Sequence, residues 1–145
     1  MYQHIVVGFD GSDSSRRALN EGVRLARLGG GAEVLVTLVE EHLPKYPSAV
    51  SETTEEREAI DAYFVQLQAE AEALGTEQGV KLAVRIVAGN APKLLCDVAK
   101  DVHADLLVIG ASGRSGLWGT VLGSTADKVV DHAPCSVLVV RPWSG

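Results

Sequence analysis

A chain of 145 residues, 46% hydrophobic and 22% charged, has the length of one domain and the balance of a soluble globular protein, and it can bury a substantial core without disulfides or metals. Its net charge of −6 comes without a basic stripe, which argues against nucleic acid or an anionic membrane as partners. Two cysteines, Cys96 and Cys135, form no CxxC or Cys/His cluster, which excludes a disulfide framework and the common zinc sites.

Both cysteines are expected to be buried free thiols, since cysteine is among the most buried residue types. No apolar run approaches the ~20 residues that cross a bilayer. The N-terminus enters a strand-like run at Tyr2 without a charged leader, so a cytoplasmic location is the expectation.

Five short apolar runs alternate with helical patterns. The first strand is expected over Ile5 to Phe9. A helix follows from about Asp13 to Leu28, with Ala18, Leu19, Gly22, Val23 and Ala26 on one face and Gly29-Gly30-Gly31 as its stop. The second strand, Val34 to Val39, is apolar throughout, which suggests burial on both faces. Glu40 to Val50 reads as loop, punctuated by Pro44 and Pro47.

Ser51 is the expected N-cap of a long helix ending near Gly79, with Ile60, Phe64, Leu67, Ala71 and Leu74 in helical period. Between Ser51 and Gly79 lie eight acidic residues and one basic residue, expected to form a solvated helix face. The third strand, Lys81 to Val87, carries Arg85 among apolar neighbours, which suits a sheet edge. Gly89-Asn90 turns the chain, and Pro92 opens a third helix with Leu94, Leu95, Val98, Ala99 and Val102 inside. The fourth strand is Asp105 to Ile109, the fourth helix about Ser124 to His132, and the last strand Ser136 to Val140. This alternation is the signature of an α/β fold, an open, doubly wound parallel sheet of five strands with helices on both faces. No repeat, linker or low-complexity tract divides it, so residues 1–145 are expected to be one domain.

The chemistry gathers after the fourth strand. Gly110-Ala-Ser-Gly113, nine residues, then Gly123-Ser124 lead from that strand into the fourth helix. Ligands of open α/β sheets bind outside the carboxyl ends of the strands, where the strand order reverses. Glycines let backbone approach a ligand, and the start of the helix offers unpaired N–H groups and the positive end of its dipole. With the hydroxyls of Ser124 and Thr125 added, the stretch suits phosphate. A surface loop in which Gly110 and Gly113 serve packing is the alternative.

Asp10 ends the first strand in Asp10-Gly11-Ser12. A carboxylate would repel phosphate but accept hydrogen bonds from ribose hydroxyls. The alternative is that Asp10 opens the turn while Ser12 or Asp13 caps the first helix. Arg114, the one cation in the glycine stretch, either pairs with a terminal phosphate or is solvated. Leu117 and Trp118 at the loop's tip are left open between nucleotide, partner and solvent.

Asp10-Gly11-Ser12, the apolar second strand and G-x2-G-x9-G-S leading to His132-Ala-Pro-Cys-Ser-Val-Leu-Val-Val-Arg141 together resemble the universal stress protein family, in its ATP-binding subfamily, over nearly the whole chain. The resemblance implies an adenine nucleotide alpha hydrolase-like, Rossmann-like sheet of order 3-2-1-4-5 with a pocket between the first and fourth strands. Asp10 would then face the ribose, the backbone near Val39 the adenine, and Gly110 the sugar. Ile109 would form a wall, and Gly113, Gly123, Ser124 and Thr125 would surround the phosphates. ATP is the implied ligand, with AMP or another adenine nucleotide as alternatives and Mg2+ or Mn2+ as companions of the phosphates.

The chain departs from the family at Ser112, where histidine is frequent, and over Glu40 to Thr54, which matches no fixed pattern. The family function would be a stress-response or signalling switch acting through an unidentified protein partner. A non-catalytic interaction role with a vestigial loop is the alternative, and a slow ATPase another.

Catalysis finds little support. No G-x4-G-K-[ST] loop is present, so no Walker lysine serves a γ-phosphate. Phe9 and Asp10 fall where an ATP pyrophosphatase loop requires small residues, and no G-x-G-x-x-G turn for NAD or flavin follows the first strand. His4, His42, His103 and His132 are scattered. The last strand, apolar on both faces and uncharged, would lie at a sheet edge in the implied order. Such edges invite pairing, so a two-fold homodimer through residues 136–140 is expected.

Overall fold

The computed structural model describes residues 1–41, 53–112 and 122–142. Its elements are β1 (His4–Phe9), α1 (Asp13–Leu28), β2 (Glu33–Glu40), α2 (Thr54–Gln78), β3 (Lys81–Ala88), α3 (Ala91–Asp101), β4 (Leu106–Gly110), α4 (Ser124–His132) and β5 (Ser136–Val140). The strands form one sheet in the order β3-β2-β1-β4-β5, with every neighbouring pair parallel. This is the expected doubly wound α/β architecture, and Arg85 does lie on an edge strand.

Side-chain alternation divides the core into two layers. Ile5, Val7 and Phe9 of β1 and Leu106 and Val108 of β4 pack with Ala18, Leu19, Val23 and Ala26 of α1 and Leu67 and Ala71 of α2. Val6, Leu107 and Ile109 point the other way, onto Leu95, Val98 and Ala99 of α3 and Ala126 and Val129 of α4. Each valine, leucine, isoleucine or phenylalanine among them contributes roughly 1.5–3 kcal/mol by leaving water. Strands β1 and β4 are therefore held from both sides.

Thr37, on β2, is 0% exposed, and its hydroxyl is, among the described residues, the one buried side-chain polar atom without a hydrogen-bond partner. An unpaired buried hydroxyl costs about 1–3 kcal/mol, a cost an apolar group of the same shape avoids. Thr37→Val is expected to raise the urea midpoint at unchanged slope, by about 1 kcal/mol of stability. A fall would contradict this account of the hydroxyl.

The helix ends follow local chemistry. Ser12 Oγ caps α1 by accepting from Ser15 N at 3.2 Å. The N-cap of α2 is Thr53, not the expected Ser51, which lies outside the described residues. Thr53 Oγ1 accepts from Glu56 N at 3.0 Å while Glu56 Oε2 accepts from Thr53 N at 3.2 Å. This reciprocal capping box needs an acid or amide three residues on. Ser51 has Thr54 there, which supplies neither. Asn90 caps α3 ahead of Pro92. The cysteines are half-buried rather than buried, and burial pushes both thiols up from their ordinary pKa.

Candidate functional site

The strand order reverses between β1 and β4. From β1 the chain winds through α1 to β2, whereas β4 is entered from α3 on the opposite face. Val39 near the end of β2, Asp10 just past β1 and Gly110 at the end of β4 thus come together on three neighbouring strand ends.

The turn after β1 is held by its own serines. Asp10 Oδ1 accepts from Ser12 N at 2.9 Å, Asp10 N donates to Ser15 Oγ at 3.2 Å, and Ser15 Oγ donates to Ser12 O at 3.0 Å. Asp10 therefore opens the turn while Ser12 caps α1. Gly11 has φ +84°, and a Cβ there would stand 2.4 Å from Tyr63 Oη. Both the left-handed backbone and the close approach require glycine.

Gly110 answers first to packing. A Cβ at this position would lie 2.2 Å from Ser14 Oγ and 2.6 Å from Ser14 O, so the first turn of α1 crosses directly over the end of β4. Buried Ser14 also accepts from Ser112 N at 3.1 Å.

Beyond Gly110 the backbone is hydrogen-bonded on either side of residues 113–121. Ala111 N donates to Val140 O at 3.0 Å, and Gly123 N donates to Ala111 O at 2.8 Å. The chain thus returns beside the end of β4 at Gly123, and Ser124 and Thr125 follow as the first residues of α4. Gly123 caps α4 with no side-chain hydrogen bond to the helix's first turn, where backbone N–H groups lack intrahelical partners. Ser124 is exposed and Thr125 half-buried. Ile109, 4% exposed, belongs to the core layer under α3. Gly113, Arg114, Leu117 and Trp118 lie outside the described residues.

Helix α2 supplies residues that sequence reading missed. Arg16 donates from Nε and Nη2 to Glu70 at 2.8 and 2.9 Å, and its Nη1 donates to Gly11 O. Tyr63 Oη donates to Asp10 O at 2.6 Å. Arg57 grips Glu40, at the end of β2, through two hydrogen bonds and also holds Asp61 at 2.7 Å. Part of the acidic segment, expected to be a solvated face, is therefore engaged. The Arg57–Asp61 spacing of four was legible on a helix. The Glu70–Arg16 pair, 54 positions apart, had no local signal.

The hydrogen bond from Arg16 holds Glu70 below the usual carboxylate range against partial burial, and the same bond raises Arg16. Arg57 is raised by Glu40 first and Asp61 second. Glu70 is deprotonated in the fold at a pH where the unfolded chain still binds its proton. The stability it contributes is complete above the ordinary glutamate value of about 4.3 and is lost as pH falls through the lower folded value. Glu70→Gln is expected to cost at most about 1 kcal/mol at neutral pH, the pair being partly exposed. Its urea midpoint should converge with that of the parent on acidification through that window. A gap independent of pH would contradict this.

Among the described residues, no group of three or more His, Cys, Asp or Glu is placed to hold a metal ion, and no helix is long and apolar enough to cross a membrane.

The sequence model of the universal stress protein family matches residues 1–141. A Staphylococcus epidermidis protein named for that family is 29% identical, over 97% of this chain and 84% of its own length. The solved universal stress protein UspA from Lactobacillus plantarum is 31% identical, with a TM-score of 0.75 over 97% of this chain and 98% of that one. A universal stress protein solved in complex with cAMP is also 31% identical, with a TM-score of 0.72 over 96% and 97% of the two chains. The chain belongs to the universal stress protein family.

Proposed function

We propose that the chain, acting as a single domain over residues 1–145, binds an adenine nucleotide, ATP foremost, where β1 and β4 part. The observation that carries this reading is the convergence there of the Asp10 turn, the Gly110 strand end and the α4 start without a side-chain cap. The cAMP complex of a 31%-identical family member supports it.

In this reading Asp10 accepts from the ribose hydroxyls, Val39 borders the adenine, and Ile109 and Gly110 line the sugar side. The backbone at Gly113, Gly123, Ser124 and Thr125 meets the phosphates, helped by the helix dipole. Arg114 pairs with a terminal phosphate, and Mg2+ or Mn2+ accompanies the phosphates in solution. The nucleotide sets which protein partner the cytoplasmic chain engages, as a stress-response switch. A second copy adds its β5 alongside the first, because Val137, Leu138, Val139 and Val140 form an uncharged, half-buried strand paired on one side with β4.

ATP with magnesium at about a hundredfold excess over Kd should stabilise the protein by about 2.7 kcal/mol, a rise in Tm on the order of 5–10 °C. No shift with ATP, AMP or cAMP would overturn the reading.

A further inference from the structure

We propose that Tyr63, with the Arg16–Glu70 pair behind it, is a positioning residue that aims the Asp10 carboxylate at the ribose. The inference rests on the nucleotide reading above and adds to it a specificity device outside the pocket, on α2.

The geometry is that of two successive peptide planes. The first joins Asp10 to Gly11, and its carbonyl is held by Tyr63 Oη at 2.6 Å. The second joins Gly11 to Ser12. Its carbonyl accepts from Arg16 Nη1, and its N–H donates to Asp10 Oδ1 at 2.9 Å. The group that orients the carboxylate is therefore one end of a peptide whose other end is fixed by Arg16. Arg16 is in turn fixed by the two hydrogen bonds it donates to Glu70. Both planes between Asp10 and Ser12 are thus tied to α2.

Gly11 makes the arrangement possible, since a Cβ there would occupy the space of the Tyr63 hydroxyl. The ring of Tyr63 meets Phe64 edge-on, with centroids 5.8 Å apart, so the hydroxyl can be removed while the ring keeps a neighbour. An acceptor held in place before the ligand arrives gains affinity because less ordering is left for the binding step. That gain is confined to the ligand groups Asp10 addresses. Loss of the Tyr63 hydroxyl should therefore weaken ribose recognition selectively, whereas a purely structural role would weaken all nucleotides alike.

The test is calorimetric titration of ATP and 2′,3′-dideoxy-ATP, each with magnesium, into the parent, Tyr63→Phe and Glu70→Gln. The parent should prefer ATP. Tyr63→Phe should lose about threefold to tenfold in ATP affinity, the range of one hydrogen bond, while its dideoxy-ATP affinity stays within about twofold. Glu70→Gln, which loosens Arg16 and leaves Tyr63 intact, should move the ratio in the same direction and serves if Tyr63→Phe does not fold. A parent that prefers ATP together with folded variants that keep the full preference would overturn the positioning role and leave the nucleotide reading standing. A parent that binds both nucleotides equally would overturn the assignment of Asp10 to ribose, and this inference with it. A parent that binds neither would overturn the nucleotide reading itself.

Discussion

Gly110→Ala is expected to destabilise the protein by about 3 kcal/mol, the upper end of the usual cost of overpacking. The added methyl would meet Ser14 Oγ at 2.2 Å, Ser14 O at 2.6 Å and Ser14 C at 2.7 Å. A hydroxyl can rotate away, but the backbone of a helix's first turn cannot. Ser14 is bound to Ser112 N, and the next residue, Ser15, is bound to the Asp10 turn, so α1 cannot lift without breaking the bonds that shape the site. Urea unfolding should show a lower midpoint at unchanged slope. Removing the hydroxyl in addition, as Ser14→Ala, should recover only part of the loss, because the carbonyl contact remains. An unchanged midpoint in Gly110→Ala would mean that α1 slides freely over β4 and that the packing reading is wrong.

Asp10→Asn is expected to weaken ATP binding by about tenfold to a hundredfold. Hydrogen bonds to a charged group contribute about 1.5–3 kcal/mol, and each 1.4 kcal/mol is a factor of ten. Asparagine is the informative replacement because its carbonyl oxygen can still accept from Ser12 N, which preserves the turn. Its amide, however, presents donors where the ribose hydroxyls need acceptors. Calorimetry should report the loss against ATP while urea unfolding without nucleotide reports a nearly unchanged midpoint. An Asp10→Asn protein that binds ATP as tightly as the parent would reduce Asp10 to its role in the turn.

The fold was legible where the signals were local and periodic. The limits of α4 and β5 were readable from Ser124, His132, Ser136 and Val140, because a helix start and an apolar strand are written within a few residues. Ser51 was misread as the α2 cap because a lone serine satisfies the single-residue preference, while the reciprocal bonds of Thr53 and Glu56 need both ends of the box to be compared.

The site was readable as a motif but not as a mechanism. Asp10 and Gly110 stood out by type and by position after strands. That Gly110 is required by Ser14, and Gly11 by Tyr63, depends on crossings between residues 96 and 52 positions apart, which no window reveals. The acidic run on α2 was read by composition as solvated. Which of its carboxylates are engaged depends on where α1 and β2 present Arg16 and Glu40 to it.

Native mass spectrometry of the purified chain reads bound nucleotide and assembly in one spectrum. Two copies of the chain carrying adenine nucleotide are expected, the nucleotide either retained through purification or acquired when ATP and magnesium are added. A bare chain that gains no nucleotide mass from ATP, AMP or cAMP would contradict the nucleotide reading.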